Sequence, residues 1–305
     1  MTYSFLLELG LQRDDWLIRV RICRMWESFN PKKNGELIGL DMIFIDEKEN
    51  LMHATINKKL YNKFKDKLTE GSLSVIKKFK VVENSGRYRP VESNFKINFL
   101  LKTVVKSLKE DVSIPINGFQ FITPDMIDSR VNNNTVLSDV VGYLCGVGDM
   151  EIVGSRWKKR DIQIVTNHSV KAKITLWEEF GEKFDPYLYK NDSGPYIVIV
   201  TATTVKEFRG EVSFATSYAS KIFVNLNVDY ITSLIQKFAT VSAGVQTIER
   251  SNVNSISIEE EMFFNRMNIK KLLDCDWSPE LEEYIVTMRG EITKIDNHFG
   301  WYYIS

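Results

Sequence analysis

The sequence predicts a mainly-β chain of tandem five-stranded Greek-key barrels with short helices and an incomplete third barrel, and three observations carry that expectation. The first is an internal repeat. The run Ile174-Thr175-Leu176-Trp177-Glu178-Glu179-Phe180 lies without a gap over Ala54-Thr55-Ile56-Asn57-Lys58-Lys59-Leu60, 120 positions earlier. Lys183 and Phe184 then answer Lys63 and Phe64, and Phe208-Arg209 answers Tyr88-Arg89. A shared offset with strand, helix and aromatic positions in phase reads as a duplicated domain. The second observation is that each copy offers five strand-like runs with one helical run between the third and the fourth. The third is size: 305 residues at 44% hydrophobic and 12% aromatic content exceed one typical core and suit two.

Taken in order, Asp15 to Trp26 alternates apolar and charged residues after Leu17, placing Arg19, Arg21 and Cys23 on one face of a half-buried strand. The turn formers and basic residues of Asn30-Pro31-Lys32-Lys33-Asn34-Gly35 mark a loop. Strands follow at Leu40 to Ile45 and Leu51 to Ile56, then a helix at Lys58 to Leu68 with Leu60, Tyr61, Phe64 and Leu68 at helical spacing and Gly71 as its stop. Strands at Leu73 to Val82 and Arg87 to Leu101 complete the first set. That order is the one expected of an oligonucleotide-binding (OB) barrel. The second copy repeats it, with strands near Ser138 to Cys145, Asp161 to Val165, Ser169 to Trp177, Tyr196 to Val205 and Val212 to Tyr218, and a helix near Glu178 to Tyr189. A further helix at Asp229 to Phe238 would pack on the barrel. The expected layout is a first OB domain at 1–110, a linker at 111–134, a second OB domain at 135–240, a linker at 241–262, and the incomplete start of a third OB domain at 263–305.

Net charge is zero overall but unevenly placed: residues 1–110 carry +7, 111–240 carry −2 and 241–305 carry −5. A basic front half is compatible with a polyanionic partner, because binding follows the local field and not the total. Cys23, Cys145 and Cys275 are too scattered for a disulfide framework and suit a reducing compartment. No apolar run is long enough to span a bilayer and the N-terminus lacks a signal-peptide pattern, so neither a membrane nor secretion is expected. Catalytic and cofactor signals are absent from the pattern: His53, His168 and His298 stand alone, Gly146-Val147-Gly148 lacks the third glycine of a dinucleotide loop, and no nucleophile elbow or phosphate loop is found. A non-enzymatic protein with no metal or other cofactor is expected.

The binding signal lies in aromatic residues among basic ones. A sequence-tolerant OB barrel stacks bases on exposed rings and holds phosphates with lysine and arginine along the same groove. Trp177 ends a strand and Phe208 sits in the tight Glu207-Phe208-Arg209-Gly210 connection; a barrel-end core residue and a hairpin ring folded back on the barrel are the plain alternatives. Beside them Arg156, Lys158, Lys159 and Arg160 form a basic cluster around Trp157. The first copy offers Tyr88 between Arg87 and Arg89, with Arg21, Arg24, Lys32 and Lys33 on the first strand and its loop, and Trp26 as a further ring. Because Trp177 in the second copy is Asn57 in the first, the first groove should stack fewer bases.

These residues resemble the large subunit of replication protein A, the eukaryotic single-stranded DNA-binding protein, most of all its plant members. Ala172-Lys173-Ile174-Thr175-Leu176-Trp177 and Glu207-Phe208-Arg209-Gly210 are similar to the segments that present that family's stacking aromatics, and Lys158-Lys159-Arg160-Asp161-Ile162 to its phosphate-contacting stretch. Gly86-Arg87-Tyr88-Arg89-Pro90-Val91 resembles the segment with one stacking aromatic of the preceding domain, Arg21 falls on a basic contact position, and Leu40 stands where a second ring is placed. The resemblance implies single-stranded DNA as partner, other replication protein A subunits as further partners, a nuclear location and a role in replication, repair or recombination. Residues 263–305 resemble the start of the family's zinc-bearing third OB domain, with no zinc ligand assigned. A protein-interaction scaffold and an RNA-binding protein stay open as alternatives.

Overall fold

The computed structural model describes residues 2–30, 33, 35–109, 112–153, 157–184, 194–208, 211–240, 245–248, 266–273, 288 and 290–291. Two curled sheets account for the first unit, Met1–Glu249. The first barrel runs β1 (Leu17–Asn30), β2 (Glu36–Ile45), β3 (Leu51–Asn57), α1 (Lys58–Phe64), β4 (Leu73–Lys77), β5 (Lys80–Glu83), β6 (Phe95–Asn98) and β7 (Val104–Leu108). Its strand order is β5-β6-β3-β2-β1-β4-β7, with β3 and β6 parallel. The long strand expected at Leu73 to Val82 is broken into β4 and β5 where Lys78 takes a left-handed backbone, φ 60°. The strand expected from Arg87 is reduced to β6, because residues 87–94 form an irregular loop in which Tyr88 has φ 59°.

The second barrel follows helix α2 (Pro124–Arg130) and comprises β8 (Ser138–Val153), β9 (Trp157–Thr166), β10 (Lys171–Trp177), α3 (Glu179–Lys183), β11 (Ile197–Phe208), β12 (Glu211–Ala215), β13 (Ile222–Val224), α4 (Asp229–Phe238) and β14 (Gln246–Ile248). Pairing of β8 with β9, β9 with β10, β10 with β12, β12 with β11 and β11 with β8 closes a five-stranded barrel, in which only β10 and β12 run parallel. That closure and the helix between its third and fourth strands are the OB architecture, which removes exposed sheet edges. The part of the expected helix beyond Phe184 lies outside the described residues.

Strand alternation explains the cores. Ile18, Val20 and Ile22 of β1 point inward with Met42, Phe44, Ala54 and Ile56, and Phe64 of α1 plugs the barrel end. In the second barrel Ile162, Ile164, Ile174, Leu176, Val198 and Val200 do the same, with Phe184 as the plug. The two plugs are 120 residues apart. Cys23 departs from the expected outer face. A register shift between Ile22 and Arg24 inserts it as a bulge, so it is buried with Ile43, Leu51 and Ile114, and burial pushes its thiol up to about 11.

The barrels meet along a built seam. The Arg24 guanidinium, 3% exposed, lies against the buried Asp139 carboxylate at 3.4 Å and 3.5 Å. The same carboxylate accepts the backbone N–H groups of Gln120 (2.9 Å) and Ala202 (2.8 Å). Trp26 packs with Leu137, Ala202 and Ala219, Glu70 pairs with Lys221, and Glu92 pairs with Arg130 at 2.7 Å. Main chain joins main chain as well: Tyr88 N–H donates to Asn134 O (2.7 Å), Arg89 N–H to Thr135 O (3.0 Å) and Leu137 N–H to Arg89 O (2.8 Å). Within the linker expected at 111–134, Ile114 is buried, and Phe119 stacks on Phe121 at 5.2 Å.

The second unit, Arg250–Ser305, includes α5 (Ile269–Leu273). The strands expected at Glu283 to Ile292 and Phe299 to Tyr303 lie outside the described residues, apart from Met288, Gly290 and Glu291.

Candidate nucleic-acid interface

The outer face of each barrel carries the same polar pair. Asp41 on β2 stands opposite Thr55 on β3, and the Thr55 hydroxyl donates to its carboxylate at 2.6 Å. In the second barrel Asp161 on β9 stands opposite Thr175 on β10, with the same bond at 2.7 Å. A side-chain nitrogen accompanies each: His53 Nε2 lies 2.9 Å from Asp41 and Lys173 Nζ lies 3.3 Å from Asp161. All three positions repeat at the 120-residue offset. Burial would raise the Asp161 carboxyl, but the Thr175 hydroxyl and the Lys173 and Lys159 ammoniums outweigh it and hold it below the ordinary range. Asp41 is depressed in the same way, with burial opposed by His53, Ser28 and Thr55.

One row along this face the copies diverge. Lys159 faces Trp177 in the second barrel, and the corresponding pair in the first is Gly39 facing Asn57. Asn57 caps α1, its side-chain oxygen accepting the Lys59 N–H at 3.1 Å, and adds no ring. Leu40 is buried inside the first barrel. Trp177 is half-buried, and its backbone N–H donates to the Thr216 hydroxyl at 2.9 Å, which ties the end of β10 to the residue after β12. Glu178 then takes φ 48°, a left-handed backbone held by its N–H to Lys158 O (2.9 Å) and by its carboxylate accepting the Lys158 N–H (3.0 Å).

The second barrel's cations lie close to carboxylates. Lys158 pairs with Glu182 at 2.7 Å, and Lys159 lies 3.2 Å from both Glu151 and Asp161. Burial would lower the Lys159 ammonium, yet Asp161 and Glu151 win and raise it. Arg160, expected with them as a phosphate contact, is 7% exposed and points inward. Its Nε and Nη1 donate to the carbonyls of Gly181 and Gly148, both at 2.9 Å, so it braces β9 against α3 and β8. Arg156 and Arg209 lie outside the described residues, and for Phe208 the backbone is placed, opposite Glu211 at the β11–β12 hairpin.

In the first barrel Tyr88 is 55% exposed beside the exposed Arg87. Arg89 is half-buried with its Nε on Gly86 O (2.8 Å). Arg21 is held by Ile114 O (2.9 Å) and Gly71 O (2.8 Å), and Arg24 belongs to the seam. As placed, neither Arg24 nor Arg160 faces a groove, and Arg21 is committed to two carbonyls. Trp26 stacks on His53, ring centroids 6.1 Å apart, at the seam. Lys33 is exposed in the β1–β2 loop and Lys32 lies outside the described residues. The strand pattern did not single out Asp41, Thr55, Asp161 and Thr175, although their common offset was in the repeat. Among the described residues no group of three His, Cys, Asp or Glu side chains is placed to hold a metal ion.

Two barrels of this topology, docked in tandem and each carrying the repeated Asp–Thr pair on its outer face, define a tandem OB-fold protein. Within that class the chain is similar in sequence to replication protein A large subunits. Residues 8–128 match the family described as domain of unknown function DUF223. The chain is 23% identical over 230 residues to the replication protein A 70 kDa DNA-binding subunit of Drosophila melanogaster, covering 72% of this chain and 36% of that protein. It is 23% identical over 274 residues to replication factor A protein 1 of Schizosaccharomyces pombe, covering 82% of this chain and 43% of that protein. In fold it is similar to a chain of a replication protein A heterotrimer solved with single-stranded DNA, at TM-score 0.52 and 18% identity over 80% of this chain and 57% of that one. The chain thus spans less than half the length of these curated relatives.

Proposed function

We propose that the chain binds single-stranded DNA, by stacking bases on aromatic rings and holding phosphates with lysines along the outer faces of its barrels, and that it acts without catalysis in replication, repair or recombination in the nucleus. The observation that carries this reading is the second barrel's outer face, where Trp177 stands in register with Lys159 and one diagonal step from Asp161, with which Lys173, four residues before Trp177 on the same strand, pairs. Relatives described as DNA-binding subunits support the same reading. Phe208, Arg209 and Arg156 complete the groove in this proposal, and Tyr88 with Arg87 serves the first barrel. Other replication protein A subunits are the protein partners it implies.

The test is titration of the full chain with a single-stranded oligonucleotide over a range of salt. Engagement of Lys158, Lys159 and Lys173 by three phosphates gives a log-log slope of about −2, at roughly −0.7 per phosphate on a single strand. Absence of binding at low salt overturns the proposal. Competition by RNA of the same sequence reads whether a 2′-hydroxyl is rejected.

The ion pairs on the groove make a second expectation. Asp161→Asn removes the carboxylate shared by Lys159 and Lys173 and keeps the Thr175 contact. It is expected to tighten binding by about fivefold, near 1 kcal/mol, because the lysines no longer have to leave a carboxylate to meet the phosphates, with the salt slope staying near the wild-type value. Unchanged affinity would show that these lysines do not reach the nucleic acid. A protein-interaction scaffold is the second reading, favoured by this same pairing of the groove's lysines with carboxylates.

A further inference from the structure

We infer that Trp157 is an additional base-stacking ring, extending the second groove by one nucleotide along the β8–β9 hairpin; this rests on the single-strand reading above. Trp157 is the first residue of β9 and is 48% exposed. Along β9 the inward positions are Arg160, Ile162 and Ile164, and the outward ones are Lys159, Asp161 and Gln163. Trp157 falls two residues before Lys159 and so shares the outward parity. Lys159 is directly opposite Trp177, which makes Trp157 and Trp177 diagonal neighbours on one face. Diagonal positions of paired strands lie about 7–8 Å apart, within reach of two large rings.

The position is also held. Lys158, between Trp157 and Lys159, has both backbone polar groups bonded to Glu178, the residue that follows Trp177. Val153 pairs with Trp157 on the other side, at the end of the longest strand of the barrel. The two tryptophans therefore sit on a common frame of β8, β9 and the β10–α3 turn. A stacking platform fixed before the ligand arrives loses less side-chain entropy on binding. The chemistry the face offers is flat π surface with ammonium groups at its margin, which fits nucleobases joined by phosphates.

The experiment uses the full chain and oligothymidylates lengthened one nucleotide at a time. For the wild type, affinity is expected to rise with length through one more step than for Trp157→Ala. At the longest length Trp157→Ala is expected to bind roughly 5- to 100-fold more weakly, the equivalent of one base–aromatic stack, with the salt slope unchanged. Trp157→Phe, which keeps a ring, is expected to restore most of the loss. A Trp157→Ala protein that matches the wild type at every length, while Trp177→Ala binds more weakly, overturns this inference alone. A wild type with no single-strand binding overturns the parent reading and this inference with it. Weakening that phenylalanine does not rescue, accompanied by a lower melting temperature for both variants, assigns Trp157 a packing role and also overturns it.

Discussion

Asp139→Ala is expected to lower the unfolding free energy of the full chain by about 3–5 kcal/mol, the range found when one member of a buried ion pair is removed. The size follows from what Asp139 holds. Its carboxylate is 2% exposed and serves the Arg24 guanidinium together with the backbone N–H groups of Gln120 and Ala202. Without it a buried positive charge and two buried donors lose their acceptor at once. The Arg24 Nε is buried and already lacks a partner, so the pair is not ideal. Replacing both ends, Arg24→Met with Asp139→Ala, is therefore expected to recover a good part of the loss, since the arginine no longer has to be kept charged in the interior. Denaturant melts of the two single variants and the double give the coupling by a double-mutant cycle. A cost below about 1 kcal/mol for Asp139→Ala would mean that the seam is not closed in solution. Arg24→Met also separates two roles for the arginine: a seam residue leaves the salt dependence of DNA binding unchanged, whereas a phosphate contact reduces the slope by about 0.7.

The second large effect is on binding. Trp177→Ala combined with Phe208→Ala is expected to weaken single-strand affinity by about 2–6 kcal/mol, taking roughly 1–3 kcal/mol for each stacked base. At the low end this is about 30-fold. Trp177 is half-buried at the end of β10, so the fold control is a melt of Trp177→Ala beside its titration; its backbone N–H bond to the Thr216 hydroxyl is kept by the substitution. Binding equal to the wild type in the double variant would refute stacking at these positions. The matching substitution in the first barrel, Tyr88→Ala, is expected to have the smaller effect, because the row that holds Trp177 in the second barrel holds Asn57 in the first and Asn57 caps α1.

Much of the architecture was legible because it rests on local periodicity. Alternation along β1, β3 and β10 and the helical spacing of α1 and α4 follow from which side chains leave water, and the duplication multiplies each signal by two. The breaks were not legible. Nothing about Lys78 in the sequence announces a left-handed backbone, yet it splits one expected strand into β4 and β5. Cys23 lies in an alternating run and becomes a bulge only because β2 pairs beside it with a register shift.

The candidate site divides in the same way. Trp177, Lys159 and Lys158 were found from residue type and position, and the register places Trp177 and Lys159 side by side. Arg21, Arg24 and Arg160 were chosen by the same rule and are placed otherwise. Each is an arginine whose acceptor is distant in sequence: Ile114 and Gly71 carbonyls for Arg21, Asp139 for Arg24, Gly181 and Gly148 carbonyls for Arg160. A guanidinium binds a phosphate and a fixed carbonyl or carboxylate by the same donors, so residue type alone does not choose between them.

By itself, then, the sequence determined the duplicated barrels and the placing of Trp177 in the second copy where the first has Asn57, because these depend on patterns within a strand or across a fixed offset. Only the tertiary structure decided which cations remain on the surface, which carboxylates neutralise them and that the two barrels share a buried Arg24–Asp139 contact. Those outcomes depend on which polar groups meet across elements far apart in the chain, where burial makes each meeting strong and no local pattern records it.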